Sequence, residues 1–302
     1  MLKARRESSN KLYDTYVLRW FTFCEQKQID PFEADVKYIL QFLQIMVTKG
    51  LKYTTVSTAK SALGTCIYIT GNYEIAKHPD IKIFMKGVFA ITPTQPKYTA
   101  IWDPDVVLDY FRKGPSLYEL NMEELSKKLC MLIMLVTAQR PQILQSLKMN
   151  NFSVSQRDYV FLLQAKDIKQ GRPSFNGISI TLAKYPEETL CVFSHLKLYM
   201  ALTEHVRKGE QQIMLTYGLP IHKASYNTMR RWLKDVLQEA GIDTKSFSAG
   251  STRSAASSKA SRANVPIEII MNKCGWSQSS TFAKFYNKEF NKDVFAYSVL
   301  QK

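Results

Sequence analysis

Apolar residues recur at helical spacing through the first 90 positions. Tyr13, Tyr16, Val17, Trp20 and Cys24 fall at i, i+3 and i+4 intervals, the signature of one buried helix face. Val36, Ile39, Leu40, Leu43 and Val47 repeat it, and the glycine of "TKG" marks where that helix ends. A third helix, capped by Thr54 or Thr55, turns Val56, Ala59, Leu63 and Ile67 inward while Lys60 points elsewhere. A fourth covers Ile81 to Phe89. The segment "TPTQPKYTA", 92–100, holds two prolines and no apolar period, so it reads as a linker. This predicts a helical domain over 1–91 and a second domain over 101–302.

The pattern of the second domain is mixed. Leu125 to Val136 is a strongly apolar helix, and Pro141 forces a break or a new helix start, leaving Arg140 at a junction. Two strand-like runs, Tyr159 to Leu163 and Ile178 to Leu182, flank a polar connection carrying Lys166, Lys169 and Arg172, which predicts a β-hairpin with a basic tip. Helical periodicity returns over Leu190 to Val206, Tyr226 to Ala240, Thr252 to Ala263, Ile267 to Lys273 and Thr281 to Tyr286. The fold class is therefore mainly α with a small β element. A C-terminal stripe of Phe290, Val294 and Phe295 is suited to packing on its own domain or docking on a neighbour.

Composition narrows the function classes. No apolar run reaches membrane-spanning length, and the start "MLKARRESSNK" lacks a secretory core, so the expectation is an intracellular protein with no membrane partner. The five cysteines are scattered and form no Cys/His cluster, which argues against a disulfide framework or structural zinc. The 41 Lys+Arg against 26 Asp+Glu leave a formal charge of +15, which points to a polyanion, nucleic acid first.

Singly, the candidate residues carry little information; their order carries more. "TAQRPQILQSL", then "IKQGRP" in a hairpin, then "SAGSTRSAASS", then "CGWSQSSTFAKFY" resembles the tyrosine recombinase (phage integrase) family in motif order and spacing. The likeness is greatest to the eukaryotic mobile-element branch, the Crypton and DIRS/Ngaro-type recombinases. It covers nearly the whole chain, with weaker support from "YVLRWFTFCEQKQIDPF", "YTTVSTAKSAL" and "IFMKGVF" in the first domain.

The resemblance implies a helical core-binding domain (SAM-like) followed by the recombinase catalytic domain. It makes Tyr286 the nucleophile, Arg140 and Arg253 the phosphate-binding arginines, Lys169 the hairpin lysine and Trp276 the His/Trp position. These residue types suit the chemistry. Two guanidinium forks hold the growing charge on phosphate oxygens without metal. A tyrosine phenolate forms a covalent 3′-phosphotyrosyl bond that conserves the energy of the broken strand, so neither ATP nor another cofactor is implied. Lys169, or Lys166 in its place, protonates the leaving 5′ oxygen. Trp276 donates its indole N–H to phosphate or packs the nucleophile's helix. The DNA contacts that go with this set are Thr54, Thr55 and Lys60 in the first domain, Lys166 and Arg172 at the hairpin, and Ser251 at the start of the Arg253 helix.

The implied partners are double-stranded DNA and further copies of the chain, two to four in a synaptic complex, in the nucleus if the host is eukaryotic and otherwise with cytoplasmic DNA. One departure stands out. The family pattern places a histidine three residues before the second arginine, and here that position is Gly250. Retained chemistry, a non-catalytic DNA-binding remnant and an altered protein are the three accounts of that loss. A type IB topoisomerase-like enzyme shares the remaining residues.

Overall fold

The computed structural model describes residues 7–69, 77–95, 97–164 and 177–288. The chain forms two compact units, Met1–Gln95 and Pro96–Lys302. The division falls inside the proline-containing stretch 92–100. Lys166, Lys169, Arg172 and the C-terminal stripe from Phe290 lie outside the described residues.

The first unit is four helices: α1 (Glu7–Lys27), α2 (Val36–Thr48), α3 (Tyr53–Ile69) and α4 (Pro79–Ile91). Its core is centred on Trp20, which is fully buried, stacks on Phe23 at 5.6 Å and meets Phe42 edge-on at 5.4 Å. The indole N–H is satisfied by the Pro31 carbonyl at 2.9 Å, which lets a tryptophan sit in an apolar core without an orphan donor. Val56, Ala59, Leu63 and Ile67 all face inward on α3, as their spacing predicts. Asp35 caps α2 through the Lys37 N–H, and Gly50 takes the left-handed conformation just past its end, at φ +74°. The expected cap of α3 is corrected. Thr54 and Thr55 lie inside the helix, and the Tyr53 N–H is satisfied at 3.0 Å by the Thr92 hydroxyl, 39 residues away. Thr54 is exposed, while Thr55 and Lys60 are half-buried.

The second unit is built around α6 (Met122–Thr137), whose Leu125, Leu129, Cys130, Met131, Leu132, Ile133 and Met134 are all at most 1% exposed. A helix buried along most of its length must be packed against several elements. Here these are α8 (Val192–Thr203), α9 (Tyr226–Glu239), α10 (Ser251–Arg262) and the sheet. The sheet is antiparallel, in the order β1 (Phe152–Val154), β2 (Asp158–Leu163), β3 (Ile178–Ala183). Tyr159 pairs with Leu182 and Phe161 with Ile180, so alternate residues of both strands enter the core. Gly177 precedes β3 at φ +105°, and a Cβ there would lie 2.2 Å from the Leu163 carbonyl oxygen, so glycine is required. The remaining elements are α5 (Pro104–Lys113), α7 (Ile143–Ser146), α11 (Ile267–Cys274) and α12 (Ser279–Phe285).

The sequence expectation omitted β1 and α5. β1 is three half-exposed or exposed residues, too short to show a period. α5 follows directly on the linker, and its start signal, an Asp103 cap with Pro104 in the first turn, went unread. The single helix expected over Leu190 to Val206 is α8 flanked by a 3₁₀ turn at each end.

The packing of Trp20 sets the expected stability of the first unit. Trp20→Ala should cost about 3–5 kcal/mol, read as a lowered denaturant midpoint. A change under about 1 kcal/mol would show that the core closes without the indole.

Candidate active site

Four candidate residues of the second unit, Arg140, Arg253, Trp276 and Tyr286, lie where the ends of α6, α10, α11 and α12 meet. Helix α6 stops at Ala138, which adopts the left-handed conformation at φ 49°, uncommon for a residue with a Cβ. The turn lets Gln139 donate its side-chain amide to the Lys273 carbonyl, tying the end of α6 to α11. Arg140 follows, half-buried, ahead of Pro141.

α11 ends in a glycine-capped turn. Gly275 takes φ 69°, and the N–H of Trp276 returns to the Met271 carbonyl at 2.9 Å. That folds Trp276 back into a small apolar cluster with Ala138, Ile270, Cys274 and Phe282. Tyr286 lies on this cluster, its ring centroid 4.4 Å from that of Trp276. Its N–H bonds to the Phe282 carbonyl at 2.9 Å, which makes it the C-cap of α12.

Arg253, in the first turn of α10, is 2% exposed. Its Nη2 donates to the Cys274 carbonyl at 2.7 Å, and its guanidinium sits 4.6 Å from the Trp276 ring centroid and 5.4 Å from that of Tyr286. Nε and Nη1 are buried with no hydrogen-bond partner among the described residues, as are Thr252 Oγ1 and Trp276 Nε1. Burial pushes the Arg253 pKa down to about 10, and the charge of Arg140 adds to the shift. The nearby Cys274 and Tyr286 favour the charged form, and the group is a cation at neutral pH.

Arg207, also buried, shows the alternative. Its two Nη groups donate to the Gln212 and Ile213 carbonyls and the Thr203 hydroxyl, so its charge serves the fold. Arg253, Thr252 and Trp276 are left with buried polar atoms that no described residue satisfies.

Gly250 is the N-cap of α10, at φ −71° and ψ −17°, and supplies no side-chain cap. A Cβ there would meet only Ser248 Oγ, at 3.8 Å, so a larger residue has room to start. That Ser248 hydroxyl is bonded to Tyr98 at 2.8 Å and Lys97 at 3.1 Å. Ser251, expected to touch DNA, has its side chain engaged inside the unit. It is fully buried, donating to the Ser248 carbonyl at 2.7 Å and accepting from the Trp102 indole at 2.8 Å. Of the four histidines, His195 is sealed in the core, where burial holds its pKa down at about 4. His78 caps α4, and His205 and His222 are exposed.

The structure thus brings Arg140, Arg253, Trp276 and Tyr286 to one place. The Trp276 ring packs on Tyr286, and its N–H has no partner among the described residues. The sequence reading missed Gln139, Thr252, Ser254 and Ser258. Only the hydroxyl-rich run "STRSAASS" hinted at the last three. Among the described residues, no three His, Cys, Asp or Glu side chains gather as a metal site, and no helix is long and apolar enough to cross a membrane.

Residues 115–292, more than half of the chain, match the model of the phage integrase family, and the chain belongs to that family. A search of curated proteins finds no match. Among solved structures, the Tn1549 transposon integrase in complex with transposon right end DNA is similar at a TM-score of 0.56 and 14% identity, over 97% of this chain and 99% of that one. XerH site-specific recombinase in its post-cleavage complex with palindromic difH substrate gives a TM-score of 0.59 at 15% identity, over 88% of this chain and 72% of that one. A lambda integrase dimer bound to a COC′ core site gives 0.51 at 13%, over 96% and 81%. At such identities the likeness is one of fold.

The unpartnered donors make a direct prediction. Sulfate at about ten times its dissociation constant should stabilise the protein by about 1.4 kcal/mol. Thermal unfolding should show that rise in the wild type and lose it in Arg253→Met. Equal rises in both would place sulfate elsewhere.

Proposed function

We propose that the protein is a site-specific DNA recombinase or transposase of a mobile element, of the Crypton and DIRS/Ngaro type, acting on DNA in the nucleus. The observation that carries the reading is the contact of Tyr286 with Trp276 and Arg253 beside buried polar atoms that have no partner among the described residues. In-line attack by the Tyr286 oxygen on a scissile phosphate forms the 3′-phosphotyrosyl bond and breaks the bond from phosphorus to the 5′ oxygen. Arg253 and Arg140 hold the non-bridging oxygens as their charge grows, and the Trp276 and Thr252 donors add to that hold. Lys169, with Lys166 as the alternative, protonates the departing 5′ oxygen. Attack by a 5′ hydroxyl on the phosphotyrosine reverses the step and rejoins the strand, with no need for ATP or metal.

The first unit acts as the core-binding domain, with Thr54, Thr55 and Lys60 toward DNA, and Arg172 adds a cation from the hairpin. The excess of 15 positive charges supports a partner held largely through its phosphates. Two to four copies assemble on the paired sites. This rests on the family, because the residues that would join copies lie in no described contact.

Two substitutions test the reading. Tyr286→Phe should abolish covalent capture of nicked suicide DNA while leaving affinity within about twofold, since one hydroxyl is lost. A covalent adduct with Tyr286→Phe would assign the nucleophile elsewhere, and a wild type that binds but never forms an adduct would leave a DNA-binding protein on the same fold. Relaxation of supercoils without strand exchange would favour the topoisomerase-like alternative.

Gly250 lacks the group that the family uses to move the tyrosine's proton or contact the phosphate, so cleavage by the wild type should be slow. A positioned group of that kind is worth about 10²–10⁴-fold, and Gly250→His should raise the single-turnover rate at least about tenfold. The open Cβ position at 250 makes the substitution sterically feasible. A neutral or harmful effect would mean that another group holds the role.

A further inference from the structure

Helix α10 carries serines whose hydroxyls behave in two different ways. A buried helical serine ordinarily donates back to a carbonyl of the preceding turn. Ser257 does so, at 2.8 Å to Arg253 and 3.2 Å to Ser254. Ser126 and Thr137 on α6 do the same toward Met122 and Ile133. Ser254 and Ser258 instead donate outward. Both hydroxyls reach the carbonyl oxygen of Tyr286, at 3.2 Å and 2.5 Å, and Ser258 Oγ also accepts the Lys288 N–H at 3.0 Å. One hydroxyl supplies a donor and two acceptor positions, so Ser258 fills both functions at once.

The two serines are four residues apart, on one face of the helix, and are 3% and 0% exposed. A hydroxyl buried so deeply costs stability unless it is bonded, and here the bonding partner is the backbone of the residue that attacks. Tyr286 is the C-cap of a seven-residue helix, so its own carbonyl points past the last turn and needs an outside donor. The same helix α10 carries Arg253. The hydroxyls therefore fix the backbone of Tyr286 relative to that guanidinium, while the Trp276 ring, 4.4 Å from the phenol ring, limits where the side chain swings.

We propose that Ser254 and Ser258 are positioning residues that hold the Tyr286 backbone against the Arg253 helix, so that each subunit presents its own tyrosine to its own arginine. This rests on the reading of Tyr286 as nucleophile. The serines touch neither DNA nor phosphate; they act by keeping the attacking oxygen within reach, where a displacement near 1 Å is worth about 10²-fold.

The test compares wild type, the Ser254→Ala/Ser258→Ala double variant, and Ser258→Thr, which keeps the hydroxyl. Three quantities are measured in the full chain: affinity for duplex DNA, single-turnover formation of the covalent adduct on nicked suicide DNA, and hydrogen exchange of the amides over 286–288. In the double variant the expected result is a cleavage rate at least about tenfold lower, DNA affinity within twofold, and faster exchange at 286–288. Ser258→Thr should stay within about threefold of wild type. A double variant that cleaves at the wild-type rate would overturn the proposal, as would affinity falling in step with rate. If the double variant does not fold, Ser254→Ala alone, which keeps both hydrogen bonds of Ser258, should show the same split at about threefold. A wild type that never forms an adduct defeats the nucleophile reading instead. In that case unchanged exchange in the alanine variant still defeats the clasp, and faster exchange upholds the contact.

Discussion

A buried guanidinium whose Nε and Nη1 meet no hydrogen-bond partner among the described residues is the constraint on which the rest of this unit depends. Arg253 is charged at neutral pH, yet it is 2% exposed and donates to the carbonyl of Cys274 at the end of α11. Holding a cation in that state is unfavourable unless the surroundings compensate. Compensation comes from the faces of Trp276 and Tyr286 and from the carbonyl at the end of α11. Each of these needs its own support. The left-handed Gly275 turns Trp276 back, the glycine-capped end of α11 exposes the carbonyl, and the serines of α10 hold Tyr286. A charge-bearing ligand would complete the set, which is why the arrangement fits a phosphate better than it fits a closed core.

The apolar helix α6 makes that concentration of charge possible. Most of its length is buried, and the left-handed Ala138 ends it just before Gln139 and Arg140. Gln139 is bonded to the Lys273 carbonyl, so the position of Arg140 is coupled to α11 and through it to Arg253. Burial is the main cause of the lowered Arg253 pKa, and the charge of Arg140 adds to it. Arg207 carries a comparable buried charge with both Nη groups engaged. Burial alone therefore does not set Arg253 apart; this arginine leaves both Nε and Nη1 without a partner among the described residues, whereas Arg207 leaves only Nε.

Much of the fold is legible in local patterns. The helices of the first unit follow their 3.6-residue period, and Val56, Ala59, Leu63 and Ile67 are buried as that period requires. The strands β2 and β3 are visible because alternate residues are large and apolar. Arg140 lies at a junction because Pro141 cannot continue a helix. Elements with weak local signals were lost. β1 is too short to repeat, and α5 begins directly after a proline-containing linker. The start of α3 was misread because threonines suggested a local cap, whereas Thr92 supplies it from the far end of the unit.

Residue types and their order were enough to assemble the candidate set of Arg140, Arg253, Trp276 and Tyr286, because each lies in a motif that reads along the chain. Order cannot tell which hydroxyls of "STRSAASS" turn outward, since Ser254, Ser257 and Ser258 are chemically identical and differ only in the helix face each occupies. Ser251 carries the same ambiguity, and in the fold its hydroxyl accepts from the Trp102 indole. Partners 28 to 32 residues away in sequence, such as the Tyr286 carbonyl for Ser258 and Ser254, exist only once α10 and α12 have packed. Periodicity records which face of an element is apolar; a hydrogen bond between elements depends on distances and angles that arise when those faces meet.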